Sequence, residues 1–544
     1  MSPDRIDIDA IRLEVLRNAI SAIADEMNAN LIRTAYSPNI KERRDCSSAV
    51  FDAHGQMIAQ AESIPVHLGA MPYSVEAAIN HVVTFSPGDV VVLNDPYSGG
   101  AHLPDLTFVA PVFIEDRLIA FVANRAHHAD VGGKEPGSLA GDTVEIYQEG
   151  LRIPPILLWR AGVLSDDLLQ MILANVRTPE ERWGDLRAQK AGCVIGIDRM
   201  RELFKRVGES VLIDAFAAVL DYSDRRMRYQ ISQLPQGEAR FEDVLDNDGI
   251  SEGQIPICVR VLIENDKIAV DFTGTAEQVR GPVNAVFAVT ASATYYAIRA
   301  FADPDIPPNS GCYRAIEITA PEGSLVNACL PAPVVGGNLE TSQRIVDVVL
   351  GALGTLAPER SMAACQGSMN NLAIGGIDPR NGKPFTLYET MAGGFGGRPT
   401  KDGIDGIHSH MTNTLNTPVE ALETSYPLRV ERYELRPGTG GDGQYRGGLG
   451  LRRDMTCLAS SARVSFLTDR RVVQPYGVEG GEPGACGKNV ILRKGEEIVL
   501  PSKGTATLHD GDTISIQTPG GGGYGPREAR DPAAIERDSY EERL

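Results

Sequence analysis

A multi-domain α+β fold follows from three observations on the 544-residue sequence. Apolar residues near the N-terminus recur at helical spacing, and a longer helical stretch fills residues 165–233. Between them lie β-branched runs separated by turn residues, which predict hairpins. The last third is glycine-rich, with short strand-like runs between the glycine clusters. The expectation is a helix-rich N-terminal region with β-hairpins and a β-rich, Gly-rich C-terminal region. Its divisions are 1–233, a metal-site domain; 234–430, a middle α+β domain; 431–525, a C-terminal β-rich domain; and 526–544, a charged tail.

In chain order, Leu16, Ile20, Ile23, Met27 and Leu31 mark a helix over 9–35, with Asp9 as cap and Pro38 past its end. Residues 48–52 and 56–60 flank "AHG", a hairpin in which Gly55 takes positive φ. "AMPYSVEAAINHV" (70–82) predicts a helix and "DVVVLN" (89–94) a buried strand. "LTFVAPVF" and residues 118–124 predict two strands joined across Glu115 and Asp116. Ser165 and Thr178-Pro179-Glu180 carry start signals for two helices, and a third covers 209–232. Strands follow in "ARFEDVLDNDG", "PICVRVLIE" and "KIAVDFTG", then helices over 284–302 and 340–357. "GGFGG" (393–397), "GTGGDGQYRGGLG" (438–450) and "GVEGGEPGACG" (477–487) predict turns between short strands.

A net charge of −20 lacks the Lys/Arg footprint of a nucleic-acid partner and disfavours an acidic membrane surface. A small-molecule or protein partner fits. No stretch approaches the ~20 apolar residues of a membrane span. The N-terminus carries acids where a signal peptide carries bases. Eight scattered cysteines, none in a C-x-x-C pair, predict reduced thiols in the cytoplasm.

The chemistry concentrates in "NDPYSGGAHLPDLTFV" (94–109), which supplies His102 and Asp105, and in "NRAHHADVGG", which supplies His127, His128 and Asp130 at a strand end. Imidazole and carboxylate suit Zn²⁺, Mn²⁺ or Fe²⁺, and the lack of nearby Cys disfavours a purely structural zinc. Asp45, after Arg43 and Arg44, is either an ion-paired acid or a ligand or water-orienting base. His67 reads as a core imidazole rather than a site residue. In "IHSHMTNTLNTPVEALE" (407–423) an extended backbone would turn His408 and His410 to one side, followed by Asn413, Asn416 and Glu420: a second metal site, a substrate-orienting wall, or a hydrogen-bonded loop. "ETSQR" (340–344) and "ETMAGGFGGRP" (389–399) either present N–H groups and Arg to an anion or are turns. No phosphate loop is present; the nearest miss, "EPGACGKN", has Glu482 and Asn489 at required positions.

"SPNIKERRDCSSAVFDAHGQMIAQAESIPVHLGAMP", "NDPYSGGAHLPDLTFVAPVF", "HHADVGG", "GNLETSQRI" and "TPGGGGYG", in this order, resemble the hydantoinase B/5-oxoprolinase family over about residues 10 to 525. The resemblance implies a hetero-oligomer with an A-type ATPase subunit, which binds the ATP and phosphorylates the carbonyl oxygen of a cyclic amide. This chain would then complete hydrolysis at a divalent metal. The resemblance places metal ligands at His102, Asp105 and His127, with Asp45 beside the metal. Asp45 or His128 would be the proton acceptor, and Arg44 a stabiliser of developing charge. Related subunits carboxylate ketones of the acetone and acetophenone type, which is the alternative; a chain of this length favours the hydrolase.

Overall fold

The computed structural model describes residues 8–61 and 63–543, a mixed α+β architecture as the sequence predicts. Helices α1 (Ala10–Thr34), α2 (Pro38–Lys41), α3 (Pro65–His81), α4 (Asp166–Ala174), α5 (Pro179–Val207) and α6 (Glu209–Ser232) surround one sheet. That sheet contains β1 (Cys46–Asp52), β2 (Met57–Gln60), β3 (Val90–Leu93), β4 (Asp105–Ile114), β5 (Arg117–His127), β6 (Ile156–Arg160) and β7 (Val163–Leu164). Its order is β2-β1-β5-β4-β3-β6-β7, antiparallel throughout. Gly55 at φ +81° and Glu115 at φ +51° make the two predicted hairpin turns.

Side chains alternate across a strand, and here both faces are covered. Val50, Phe108, Ala110, Ala120 and Val122 pack into the core shared with α1 and α5. Ala49, Phe51, Val109, Phe121 and Ala123 pack against Met71, Val75 and Ala78 of α3. The five apolar residues predicted for α1 are all buried, and Asp9 caps it by accepting from the Arg12 N–H at 2.9 Å. Ser165 and Thr178 precede α4 and α5, but neither side chain caps its helix. Helix α3 starts five residues before the predicted position, because Pro65 occupies its first turn, where a missing N–H costs nothing.

The middle of the chain adds β8 (Gly237–Leu245), β9 (Ile255–Glu264), β10 (Lys267–Asp271) and β11 (Ile316–Thr319), ordered β11-β10-β9-β8. Helix α7 (Phe287–Ala302) packs on α3, and α8 (Ser342–Leu356), entered through a π-helical turn at Gly337–Thr341, packs on α7, β8 and β9. Then follow β12 (Asn371–Ile377), β13 (Pro384–Glu389), helix α9 (Val419–Ser425), β14 (Leu428–Leu435), β15 (Leu451–Cys457), β16 (Ser461–Leu467), β17 (Lys488–Arg493), β18 (Glu496–Leu500), β19 (Lys503–His509) and β20 (Thr513–Gln517). They form two sheets, β13-β12-β16-β19 and β14-β15-β20-β17-β18, which enclose their own apolar core. The main core runs unbroken from Ile20 to Leu467, across the borders expected at 233/234 and 430/431. The charged tail carries α10 (Pro532–Tyr540), tied back by Arg446–Asp538 at 3.2 Å and Arg530–Asp402 at 2.8 Å. Among the described residues no helix is long and apolar enough to cross a membrane, and all eight cysteines are free.

The glycine clusters correct the sequence reading. Most of their residues are not turns; they are segments laid backbone against backbone. Gly394 N–H donates to Pro519 O, Gly397 to Gly522 O, Gly448 to Phe395 O, Gly521 to Gly448 O and Gly441 to Gly521 O, all at 2.8–3.0 Å. A Cβ on Gly447 would lie 1.9 Å from Gly521 O, and one on Gly522 2.0 Å from Tyr476 O. Glycine is needed there for closeness rather than for positive φ.

Candidate metal centre

The sheet's alternation decides which predicted residues meet. Asp105 opens β4 and His127 closes β5, and the antiparallel register sets them directly opposite each other. On the other side of β5, Cys46 pairs with Ala126, and the His127 N–H donates to Asp45 O at 3.0 Å. Asp45, His127 and Asp105 therefore form a row across three neighbouring strands. They share the odd-numbered face with Phe51, Val109 and Phe121, the face that α3 covers.

His102 reaches the same point from the turn before β4. Its Nε2 lies 3.0 Å from Asp105 Oδ1, and His127 Nδ1 lies 3.1 Å from the same oxygen. The ligand atoms of His102, Asp105 and His127 lie within 4.8 Å of one another, a set able to hold one metal ion. All three are buried, at 0%, 0% and 4% exposure. Burial works against a charged Asp105, but His102 and His67 outweigh it and hold the carboxyl well below its usual range. Burial lowers the His127 pKa against the pull of Asp105 and Asp45, favouring the neutral ring that metals bind.

Both ring nitrogens of His102, the Nε2 of His127 and the Oδ2 of Asp105 have no well-aligned hydrogen-bond partner among the described residues. Buried polar atoms are rarely left so. Two imidazoles and a carboxylate also match the donor chemistry of Zn²⁺, Mn²⁺ and Fe²⁺. The residues present thus fit a divalent cation.

His67 is not a plain core imidazole. The early start of α3 puts it in the first turn, with Nε2 3.3 Å from Asp105 Oδ2 and Nδ1 3.2 Å from Ser47 Oγ. Arg125, two residues before His127 on the same face, bonds Thr107 Oγ1 at 2.9 Å and Ser74 Oγ at 2.7 Å. Tyr388 of β13 stacks on the His127 ring, with centroids 4.4 Å apart and planes 16° apart. Sequence reasoning missed both His67 and Tyr388. The first lay in a helical turn hidden by two prolines, and the second lies more than 250 residues away from its contact.

His128 falls on the other face. Its Nε2 meets Gln189 Oε1 of α5 at 2.9 Å, and burial with the nearby Arg182 brings its pKa down to about 4. It faces α5 rather than the row of ligands. Arg43 and Arg44 form no ion pair with Asp45. Arg43 is buried and bonds Tyr388 O at 3.0 Å and Thr390 Oγ1 at 2.6 Å, while Arg44, at φ +56°, is exposed and turned from the position a charge stabiliser needs. Asp130 organises its loop, accepting from Gly132 N, Gly137 N and Arg177.

His408 and His410 do not share a side. His410 sits at φ +52°, which breaks the extended run. His408 lies toward Arg43 and Glu389, where burial brings its pKa down to about 3, and His410 lies 3.3 Å from Asp347. Asn416 bonds Glu389 at 3.1 Å, Asn413 bonds Ser63 O at 3.2 Å, and Glu420 is exposed at the start of α9. Arg344 of "ETSQR" is held by Asp469 at 3.3 Å and Asp347 at 3.6 Å, so it is not available to an anion.

Behind Tyr388 a polar chain continues. Its hydroxyl donates to Asn371 Oδ1 at 2.9 Å, and Asn371 Nδ2 donates to Glu340 Oε1 at 2.8 Å. Burial and the nearby Asp469 push the Glu340 carboxyl up to about 8. A raised acid binds its proton more tightly folded than unfolded, so its contribution to stability is full below pH 4.5 and is lost as pH rises toward 8. Urea titrations from pH 5 to 8 are expected to show this decline, with a slope of at most about 1.4 kcal/mol per pH unit. Glu340→Gln should flatten it; an unchanged slope would exclude Glu340 as its source.

A family model described as Hydantoinase B/oxoprolinase matches residues 9–527. The chain belongs to the Hydantoinase B/oxoprolinase family. Among its family relatives is a protein of Pseudomonas sp. (strain NS671) named as the B component of a D-/L-hydantoinase, 33% identical over 98% of this chain and 92% of that one. A 5-oxoprolinase of Dictyostelium discoideum is 36% identical; the match covers 96% of this chain but 41% of that one, so this family member corresponds to less than half of it. The ATP-dependent caprolactamase of Pseudomonas jessenii superimposes with a TM-score of 0.91 at 30% identity, over 99% of this chain and 95% of that one. Acetone carboxylase shares the fold, with a TM-score of 0.90 at 18% identity, over 97% of this chain and 78% of that one.

Proposed function

We propose that this chain is the metal-bearing hydrolytic component of an ATP-dependent cyclic amidohydrolase. It hydrolyses a carbonyl-phosphorylated cyclic amide of the hydantoin, 5-oxoproline or lactam type, made by an A-type ATPase partner. The observation that carries the reading is the buried row Asp45–His127–Asp105 with His102, whose donor atoms lack partners. The absence of a phosphate loop in the sequence supports the division of labour. Eight free cysteines fit a reducing compartment, the cytoplasm.

Ring amides resist water because their carbonyl is resonance-stabilised. Phosphorylation at oxygen makes the carbon electrophilic and supplies a leaving group. A divalent cation held by His102, Asp105 and His127 supplies Lewis acidity and lowers the pKa of water there. Asp45, flanking His127 on the same face, accepts the proton from the attacking water. Tyr388 and Arg43 close that face, so the activated substrate reacts away from bulk solvent. His67 and Ser47 hold the second oxygen of Asp105 in place.

The test is co-purification with an A-type ATPase subunit followed by a substrate panel of hydantoins, 5-oxoproline and caprolactam. Ring opening coupled to ATP consumption is expected, with a divalent metal present in stoichiometric amount. Ring opening that survives replacement of both His102 and His127 would sink the assignment. Bicarbonate-dependent ATP turnover on a ketone, with none on a cyclic amide, would select the carboxylase reading instead.

A further inference from the structure

A cleft of about 660 Å³ opens between α7, the segment after α8 and the loop 395–401. Its lining includes none of His102, Asp105, His127 and Asp45. His410 lies at its wall, 4% exposed, with no well-aligned partner for either ring nitrogen among the described residues. Around that ring stand the Asp347 carboxylate, 3.3 Å from Nε2, the Cys365 thiol and the rings of Tyr296 and Phe395, each centred 5.9 Å away. The Gly396 N–H points at Cys365 Sγ from 3.5 Å. Arg398 lines the cleft with its Nε unpartnered, and Arg360 and Lys401 line it as well, against the acids Glu359 and Asp303.

Thiol, imidazole and carboxylate in sequence, with an N–H and a guanidinium beside them, form the constellation of a nucleophilic acyl-transfer site. The strained φ of His410 is the kind of cost retained where a side chain must be aimed. Burial opposes charge on His410, but Cys365 and Asp347 outweigh it and hold the imidazole well above its usual pKa. A protonated imidazole favours a neighbouring thiolate.

We propose that Cys365, His410 and Asp347 form a second reactive centre that takes activated carboxyl groups of the acyl-phosphate class through a thioester on Cys365. The Cys365 sulfur attacks the carbonyl carbon; the C–S bond forms as the bond from carbon to the phosphate oxygen breaks. Phosphate leaves with the electron pair and takes the proton from His410. His410, now neutral, accepts a proton from water as the water attacks the thioester. It returns that proton to sulfur, and a carboxylic acid is released. Asp347 is the positioning residue, and Arg398 faces the departing phosphate.

The full-length chain, kept in chelator so that no divalent metal contributes, is mixed with acetyl phosphate, quenched in acid and mapped by peptide mass spectrometry. An acetyl group is expected on Cys365, removable by neutral hydroxylamine. It should be absent from Cys365→Ser and unchanged in Cys258→Ser. In His410→Asn it should form about 100-fold more slowly. Wild-type protein that shows a native melt and no acetyl group on Cys365 overturns the proposal, whether or not any variant folds. Acetylation of His410→Asn at the wild-type rate overturns it equally.

Discussion

His102→Ala is expected to purify without stoichiometric metal and to lose ATP-coupled ring opening. Substituting a group that merely supports a ligand costs 10–100-fold in metal affinity, so removing a direct donor should exceed about 100-fold. The ring is fully buried and its nitrogens make no aligned hydrogen bond, so little polar stabilisation of the metal-free fold is lost with it. Metal-free variant and metal-free wild type should therefore melt within about 3 kcal/mol of each other. The wild type alone should be stabilised by added Zn²⁺ or Mn²⁺, because only a state that binds the ion gains from it. Elemental analysis and paired melting curves separate the readings. A variant that keeps its metal and its activity shows that His102 is not a ligand.

Gly522→Ala is the second large effect, and it concerns the glycine layers. The added Cβ would sit 2.0 Å from Tyr476 O, a backbone atom with no rotamer to yield. The expected loss is about 4 kcal/mol or more, at the diagnostic end of single substitutions, and insoluble expression is its extreme form. Gly495→Ala is the matched control. Its φ is +86° but nothing lies within 4 Å, so only backbone strain of about 1 kcal/mol is added. Chemical denaturation of the two variants checks the difference. Equal losses would mean that backbone closeness is not what these glycines secure.

The helices and hairpins of the first 270 residues were legible because each has a local signal: the spacing of Leu16 to Leu31, the turn at Gly55, the β-branched run at 90–93. His102, Asp105 and His127 were legible by residue type and strand-end position. Alternation along β5 also tells His127 from His128, once the strand is fixed in register with β4. Local pattern does not carry contacts between distant segments. Tyr388 against His127, Arg43 on Thr390, and Phe395 against Gly448 depend on how separate sheets stack. The glycine clusters misled for a related reason, since glycine serves both positive φ and close approach, and a single sequence does not distinguish the two.

The lid over the candidate metal centre comes late in the chain. All three donors have been translated by residue 127, whereas Tyr388, Thr390 and Thr414, which fix Arg43 and cover His127, follow more than 250 residues later. On the ribosome, the nascent N-terminal sheet emerges with its donors open to the surroundings for most of synthesis. The natural moment for cofactor loading is thus before the last third of the polypeptide docks, and the finished fold acts as a seal on an ion already captured.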